Sequence, residues 1–148
     1  MKVSVSTLLK EKNSTIYSTN QNASVRDAVK VMNDQQIGSL VILDEGKLVG
    51  IFTERDVLRR VVVPGLPVDS TLVSEVMTKE IDTFPPDFSV DDAMAHMNDK
   101  QHRHVPVVDG DRIVGLISIG DITRWLSQNF ENEAQNLLNY YTGTYHDT

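Results

Sequence analysis

The chain repeats itself. The phrase GIFTERD runs from Gly50 to Asp56, and 65 positions later GLISIGD runs from Gly115 to Asp121. Each reads glycine, two apolar residues, a hydroxyl residue, two spacers and an aspartate. The same offset lays Ser24-Val25 on Ser89-Val90, Asp27-Ala28 on Asp92-Ala93, Met32-Asn33-Asp34 on Met97-Asn98-Asp99, and Asp44 on Asp109. No gap is needed from Ile16 and Ile81 to Arg59 and Arg124. Register held that long marks two copies of one supersecondary unit, each with an apolar face that the other can cover. The 148 residues suit one compact domain or two small fused halves.

Both copies have one coarse plan. Short extended segments come first, at Ile16–Ser18 and Ile81–Thr83. Ser24-Val-Arg-Asp27 and Ser89-Val-Asp-Asp92 then offer capping boxes, the serine accepting from first-turn N–H groups. Apolar residues follow at helical spacing, Val25, Ala28, Val29 and Met32, then Val90, Ala93, Met94 and Met97. The methionines, Met77 among them, read as core filler. Ser39–Leu43 and Val105–Val108 read as strands. Turn residues at Asp44–Lys47 and Asp109–Arg112 send the chain back through Leu48–Thr53 and Ile113–Ser118. A second helix begins near Glu54 or Ile119. The expected class is α+β, with β-α-β-β-α written twice.

Residues 1–63 make the first repeat, 64–70 a linker broken by Pro64 and Pro67, and 71–126 the second repeat, with a helical pattern at Thr71–Met77. Residues 127–148 form a C-terminal helix and tail. From Trp125 to Tyr141, Leu126, Phe130, Ala134, Leu137, Leu138 and Tyr141 make one helical stripe, either packed on its own subunit or making a dimer contact.

Composition removes several function classes. Cysteine is absent, so thiol chemistry and disulfides are excluded, and a reducing compartment fits. No apolar run approaches the roughly 18 residues of a membrane span, and the first residues lack a secretory apolar core. The expected location is the cytoplasm. A formal charge of −7 argues against nucleic acid as a partner, but local fields can still admit a small phosphorylated ligand. His102 and His104 would share a strand face, yet with His96 and His146 the only other histidines, too few nitrogen or sulfur ligands exist for zinc. No nucleophile–base motif, Gly-x-Ser-x-Gly, His-Glu-x-x-His or phosphate loop appears, so no enzyme is expected.

The paired Gly-apolar-apolar-(Ser/Thr)-x-x-Asp motifs are preceded by SLVILDEG at Ser39 and RHVPVVDG at Arg103. With them the chain resembles a tandem pair of cystathionine β-synthase (CBS) domains from about Val3 to Arg124. That resemblance implies two repeats packed sheet to sheet with pseudo-twofold symmetry, and a regulatory module in a homodimer that acts on a downstream protein. It implies an adenosine-containing ligand (AMP, ADP, ATP, NAD(H) or S-adenosylmethionine) in the cleft between the copies, as a regulatory ligand and not a catalytic cofactor. A structural dimerisation module with an empty cleft, and a nucleotide hydrolase, stand as alternatives.

The residues make chemical sense of such a ligand. Asp56 and Asp121 each present two acceptor oxygens to ribose hydroxyls. Thr53 and Ser118 stand at strand-to-helix junctions, where free N–H groups and the helix dipole favour an anion. Gly50 and Gly115 admit a closely approaching backbone or ring. Thr53–Asp56 and Ser118–Asp121 equally match capping boxes, and the two roles can coexist. The resemblance assigns phosphate contacts to Arg103 and His104, where the first copy has Gly38 and Ser39, and Arg55 is the candidate to compensate. Arg59 and Arg124 lie one turn beyond the aspartates. Adenine is expected against Ile16, Ser18, Ile37, Gly38, Ile81 and Thr83.

Overall fold

The computed structural model describes residues 3–12 and 15–129. In chain order the elements are α1 (Val5–Lys12), β1 (Ser18–Asn20), α2 (Val25–Gln35), β2 (Ser39–Asp44), β3 (Lys47–Thr53), α3 (Glu54–Asp56), a π-helical continuation Val57–Val62, α4 (Val73–Val76), α5 (Val90–Lys100), β4 (His104–Asp109), β5 (Arg112–Ser118) and α6 (Ile119–Asn129). The α+β class is as expected. The chain forms two units: residues 15–82 with 111–113 make one, and residues 3–12, 83–110 and 114–129 the other.

In the first unit the sheet order is β1-β2-β3. β1 runs parallel to β2, with Ser18 opposite Val41, and β3 returns antiparallel, with Ser39 opposite Thr53. The turn between β2 and β3 has positive φ at Glu45 and Gly46. Ser24 starts α2 by accepting from the Asp27 N–H at 3.1 Å. Val25, Ala28 and Met32 from α2 then close over Leu40, Ile42 and Phe52 from the sheet. Burial of such side chains, at roughly 25 cal/mol per Å² of apolar surface, is what holds the layers together.

The second unit repeats this with β4 and β5. Ser89 caps α5 through the Asp92 N–H at 3.0 Å, and Val90, Ala93 and Met97 pack with Val105, Val107 and Ile117. Its first strand is reduced to one parallel bridge, Phe84 to Val107. With the 65-residue offset, that pair is Thr19 and Ile42 of the first unit. Thus the expected segment at Ile81–Thr83 pairs one residue later and no further, and that at Ile16–Ser18 pairs as Ser18–Asn20. Pro85 and Pro86 follow Phe84, and a proline has no N–H to extend a ladder. Phe84 instead stacks on Phe88 at 4.7 Å and meets the edge of His96 at 5.6 Å.

Each unit is completed by a short helix that precedes the other repeat in the chain. Val73 N–H donates to Ala23 O (2.8 Å), Ser74 N–H to Gln21 O (3.0 Å), and Val25 N–H to Thr71 O (2.9 Å), so α4 is bonded into the first unit. Val5 N–H donates to Phe88 O (2.8 Å), Ser6 N–H to Pro86 O (3.0 Å), and Val90 N–H to Val3 O (2.7 Å), so α1 is bonded into the second. The Thr71–Met77 pattern therefore opens the second copy along the chain but packs with the first in space. Val5 and Leu8 enter one core, Val73, Val76 and Met77 the other. At the C-terminal end, Trp125 and Leu126 are buried in their own unit's core. The stripe positions Phe130, Ala134, Leu137, Leu138 and Tyr141 lie outside the described residues.

The two motif glycines serve these helices. A Cβ on Gly50 would lie 2.6 Å from Met77 Sδ and 2.9 Å from Thr78 O. One on Gly115 would lie 2.5 Å from Leu9 Cδ1. The close approach read from the sequence is thus made by the lead-in segments.

Candidate functional site

Each repeat forms a corner where a strand ends and a helix begins. In the first unit the Thr53 hydroxyl accepts from the Asp56 N–H (3.2 Å), and an Asp56 carboxylate oxygen accepts from the Thr53 N–H (3.0 Å). In the second, Ser118 and Asp121 make the same reciprocal pair at 3.0 and 2.9 Å. Both sequence-level capping boxes are therefore present. Both aspartates are nevertheless buried, at 6% and 7% exposure, more than a helix cap demands. A buried carboxylate is costly unless hydrogen-bonded, so its further partners matter.

Those partners were not foreseen, and they differ between corners. Asp56 accepts the Thr78 hydroxyl at 3.1 Å and has the Arg60 guanidinium at 3.6 Å. Asp121 accepts Lys12 Nζ at 2.8 Å on one oxygen and Arg124 at 3.2 Å on the other. Burial opposes the Asp121 charge, but Lys12 and the Ser118 N–H and hydroxyl outweigh it and hold the carboxyl below its ordinary range. Arg124 thus reaches back to its aspartate from one turn further along the helix. In the first copy Arg60 takes that place instead of Arg59, and its guanidinium also donates to Met77 O at 2.8 Å. The i,i+4 spacing of Asp56 and Arg60 was a readable signal. Lys12 and Thr78 gave none, because they come from the exchanged lead-ins.

The remaining predicted residues gather around the same corners. Gly38 O accepts from the Glu54 N–H at 3.0 Å and Ser39 pairs with Thr53, which brings Ile37, Gly38, Thr53 and Asp56 together. The parallel register carries Ile16 level with Ser39, while Ser18 lies two rungs further along the sheet. Arg55 is exposed. In the other unit Arg103 O accepts from the Ile119 N–H at 3.1 Å, which seats Arg103 and His104 beside Ser118 and Asp121. Thr83 precedes the Phe84 bridge in that unit, and Ile81 falls in the first.

One contrast is electrostatic. The Glu54 carboxyl carbon lies 3.3 Å from where a Gly38 Cβ would stand. In the second copy the matching positions are Ile119 and Arg103. An acid at one corner thus answers to a cation at the other. Ile37, Gly38 and Glu54 also line a cavity of about 640 Å³ walled by Val29, Met32 and Val57. Among the described residues no three metal-ligating groups converge, and no helix is long and apolar enough to cross a membrane.

The family model of the CBS domain matches residues 12–63 and 73–128, one match in each copy. The chain belongs to the CBS-domain family. It is 39% identical over 127 residues to the CBS domain-containing protein CBSX3, mitochondrial, of Arabidopsis thaliana, covering 82% of this chain and 62% of that one. The chain thus spans under two thirds of that relative's length. The crystal structure of the CBS domain protein NE2398 superimposes with a TM-score of 0.80 at 35% identity, over 84% of this chain and 97% of the other. The CBS pair of protein MJ0100, solved in complex with 5-methylthioadenosine and S-adenosyl-L-methionine, gives 0.74 at 28% identity, over 86% and 98%.

Proposed function

We propose that this CBS pair is a regulatory module, not an enzyme, that senses an adenosine-containing ligand: AMP, ADP, ATP, NAD(H) or S-adenosylmethionine. The carrying observation is the pair of buried corner carboxylates, each held at a helix start with a hydroxyl beside it. A ribose diol donates to such a carboxylate, and the helix N–H groups and hydroxyl receive the phosphate or its equivalent. MJ0100, a relative of the same fold, holds two such ligands. The charge contrast divides the work. Arg103, His104 and Ser118 take the anionic end beside Asp121, and adenine lies against Ile16, Ser18, Ile37, Gly38, Ile81 and Thr83. Thr53, Arg55 and Asp56, with Glu54 close by, form a less anion-friendly site for another part of a ligand or a second ligand. Occupancy shifts the module between two arrangements that it binds unequally, in a cytoplasmic homodimer read by a downstream protein, with neither nucleic acid nor membrane as partner.

The test is a thermal-shift series with AMP, ATP, NADH and S-adenosylmethionine. A ligand at about 100 times its Kd adds about 2.7 kcal/mol. Asp121→Ala should weaken that ligand much more than it lowers unliganded stability. Equal losses with and without ligand would leave only the capping role. One observation favours the dimerisation scaffold: both corner boxes are already satisfied internally, and Leu58, Val62 and Val63 expose apolar surface at 59%, 61% and 80%. Stabilisation by none of the four compounds would favour it.

A further inference from the structure

We propose that Lys12 is a latch on the second corner, which a ribose must displace; this rests on the reading of Asp121 as the ribose acceptor. A carboxylate offers about four lone-pair sites. Three are in use at Asp121: the Ser118 N–H at 2.9 Å, Lys12 Nζ at 2.8 Å, and Arg124 at 3.2 Å. A diol needs two. Oδ2 accepts both the Ser118 N–H and Lys12, whereas Oδ1 accepts Arg124, so a diol spanning the two oxygens must take a place on Oδ2, where the Ser118 N–H is fixed by the backbone. Lys12 is the donor that can leave. It is the last residue of α1, its side chain is 28% exposed, and it also donates to Leu116 O at 3.0 Å.

The first corner has no such latch. There the matching donor is the neutral hydroxyl of Thr78. A ligand at Asp56 exchanges one hydroxyl for another, whereas a ligand at Asp121 must break an ammonium–carboxylate contact. Breaking it also loosens the end of α1, which Glu11 otherwise ties to the Trp125 indole N–H at 2.5 Å. The latch thereby weakens the second site.

Adenosine is the discriminating probe, because it carries the diol and no phosphate for Lys12 to attract. On the full chain, Lys12→Met should bind adenosine about tenfold more tightly than wild type, within the range of ordinary coupling between sites. Lys12→Arg, which keeps the cation, should bind like wild type. Adenosine should also speed hydrogen exchange in Val5–Lys12 of the wild-type protein. Equal or weaker binding by Lys12→Met, or slowed exchange in α1, overturns the latch while the ligand reading stands. If neither wild type nor Lys12→Met binds adenosine, AMP, ATP, NADH or S-adenosylmethionine, the ligand reading falls and the latch with it.

Discussion

Alanine at the two motif glycines should have unequal costs, although the sequence treats them as equivalent. At Gly50 the new methyl would meet Met77 Sδ at 2.6 Å, Thr78 O at 2.9 Å and Met77 Cγ at 3.0 Å. The thioether can swing away. The carbonyl cannot, because Thr78 exchanges two backbone bonds with Ile51 at 3.0 and 2.9 Å. At Gly115 the three atoms nearest the methyl all belong to the Leu9 side chain, at 2.5, 2.6 and 3.1 Å, and Leu9 is a half-buried, flexible side chain and not fixed backbone. Overpacking costs roughly 1–3 kcal/mol where neighbours are fixed. Against it stands a gain of about 0.4–1 kcal/mol from a less flexible unfolded chain. The expected net loss is about 1.5 kcal/mol for Gly50→Ala and about 0.5 kcal/mol for Gly115→Ala. With a urea m-value near 2 kcal/mol per M, the first lowers the midpoint by about 0.75 M and the second by about 0.25 M. Combining Gly115→Ala with Leu9→Ala should remove the clash, while Met77→Ala should only partly relieve Gly50→Ala. Equal midpoints for the two alanine variants, or full relief of Gly50→Ala by Met77→Ala, would refute the argument that backbone and not side chain sets the cost.

Acid should weaken the second unit through Asp121. Its carboxyl sits below the ordinary range, so its contribution is complete above the unfolded value near 4 and is lost as pH falls through the folded one. Lys12→Met should cost about 1 kcal/mol at pH 7, given a partly exposed pair, and the gap to wild type should close below about pH 4 in urea melts; a gap constant down to pH 2 would contradict the assignment. Thr78→Val leaves Asp56 short of a hydroxyl donor and should cost about 1–2 kcal/mol, measured the same way. Ser24→Ala and Ser89→Ala each remove a helix cap and should cost about 1 kcal/mol, with loss of helical circular dichroism on heating at lower temperature.

What the sequence made legible was local. Ser39–Leu43, Leu48–Thr53 and their partners in the second copy could be read because alternation, turn residues and capping serines act within a few positions of one another. The corner boxes were legible for the same reason. The donors that decide the corners' character were not. Lys12 and Asp121 are 109 positions apart, and no periodicity connects them. The lead-in helices also align at an offset of 68 and not 65, so the register that revealed the repeat hides their equivalence. Only when Leu9 and Met77 are seen pressing on Gly115 and Gly50 does that second register emerge. The truncated strand at Phe84 was decided by Pro85 and Pro86, and the choice of Arg60 over Arg59 by a helix that turns wide.

The exchange of the opening helices bears on how the gene can be cut. A fragment ending at Pro64 would carry α1 but not α4, and the complementary fragment would carry α4 but not α1, so each would lack the piece that seals its own interior. Supplied as two chains, the halves would have to trade those pieces, and closure would depend on concentration where the intact chain has it built in.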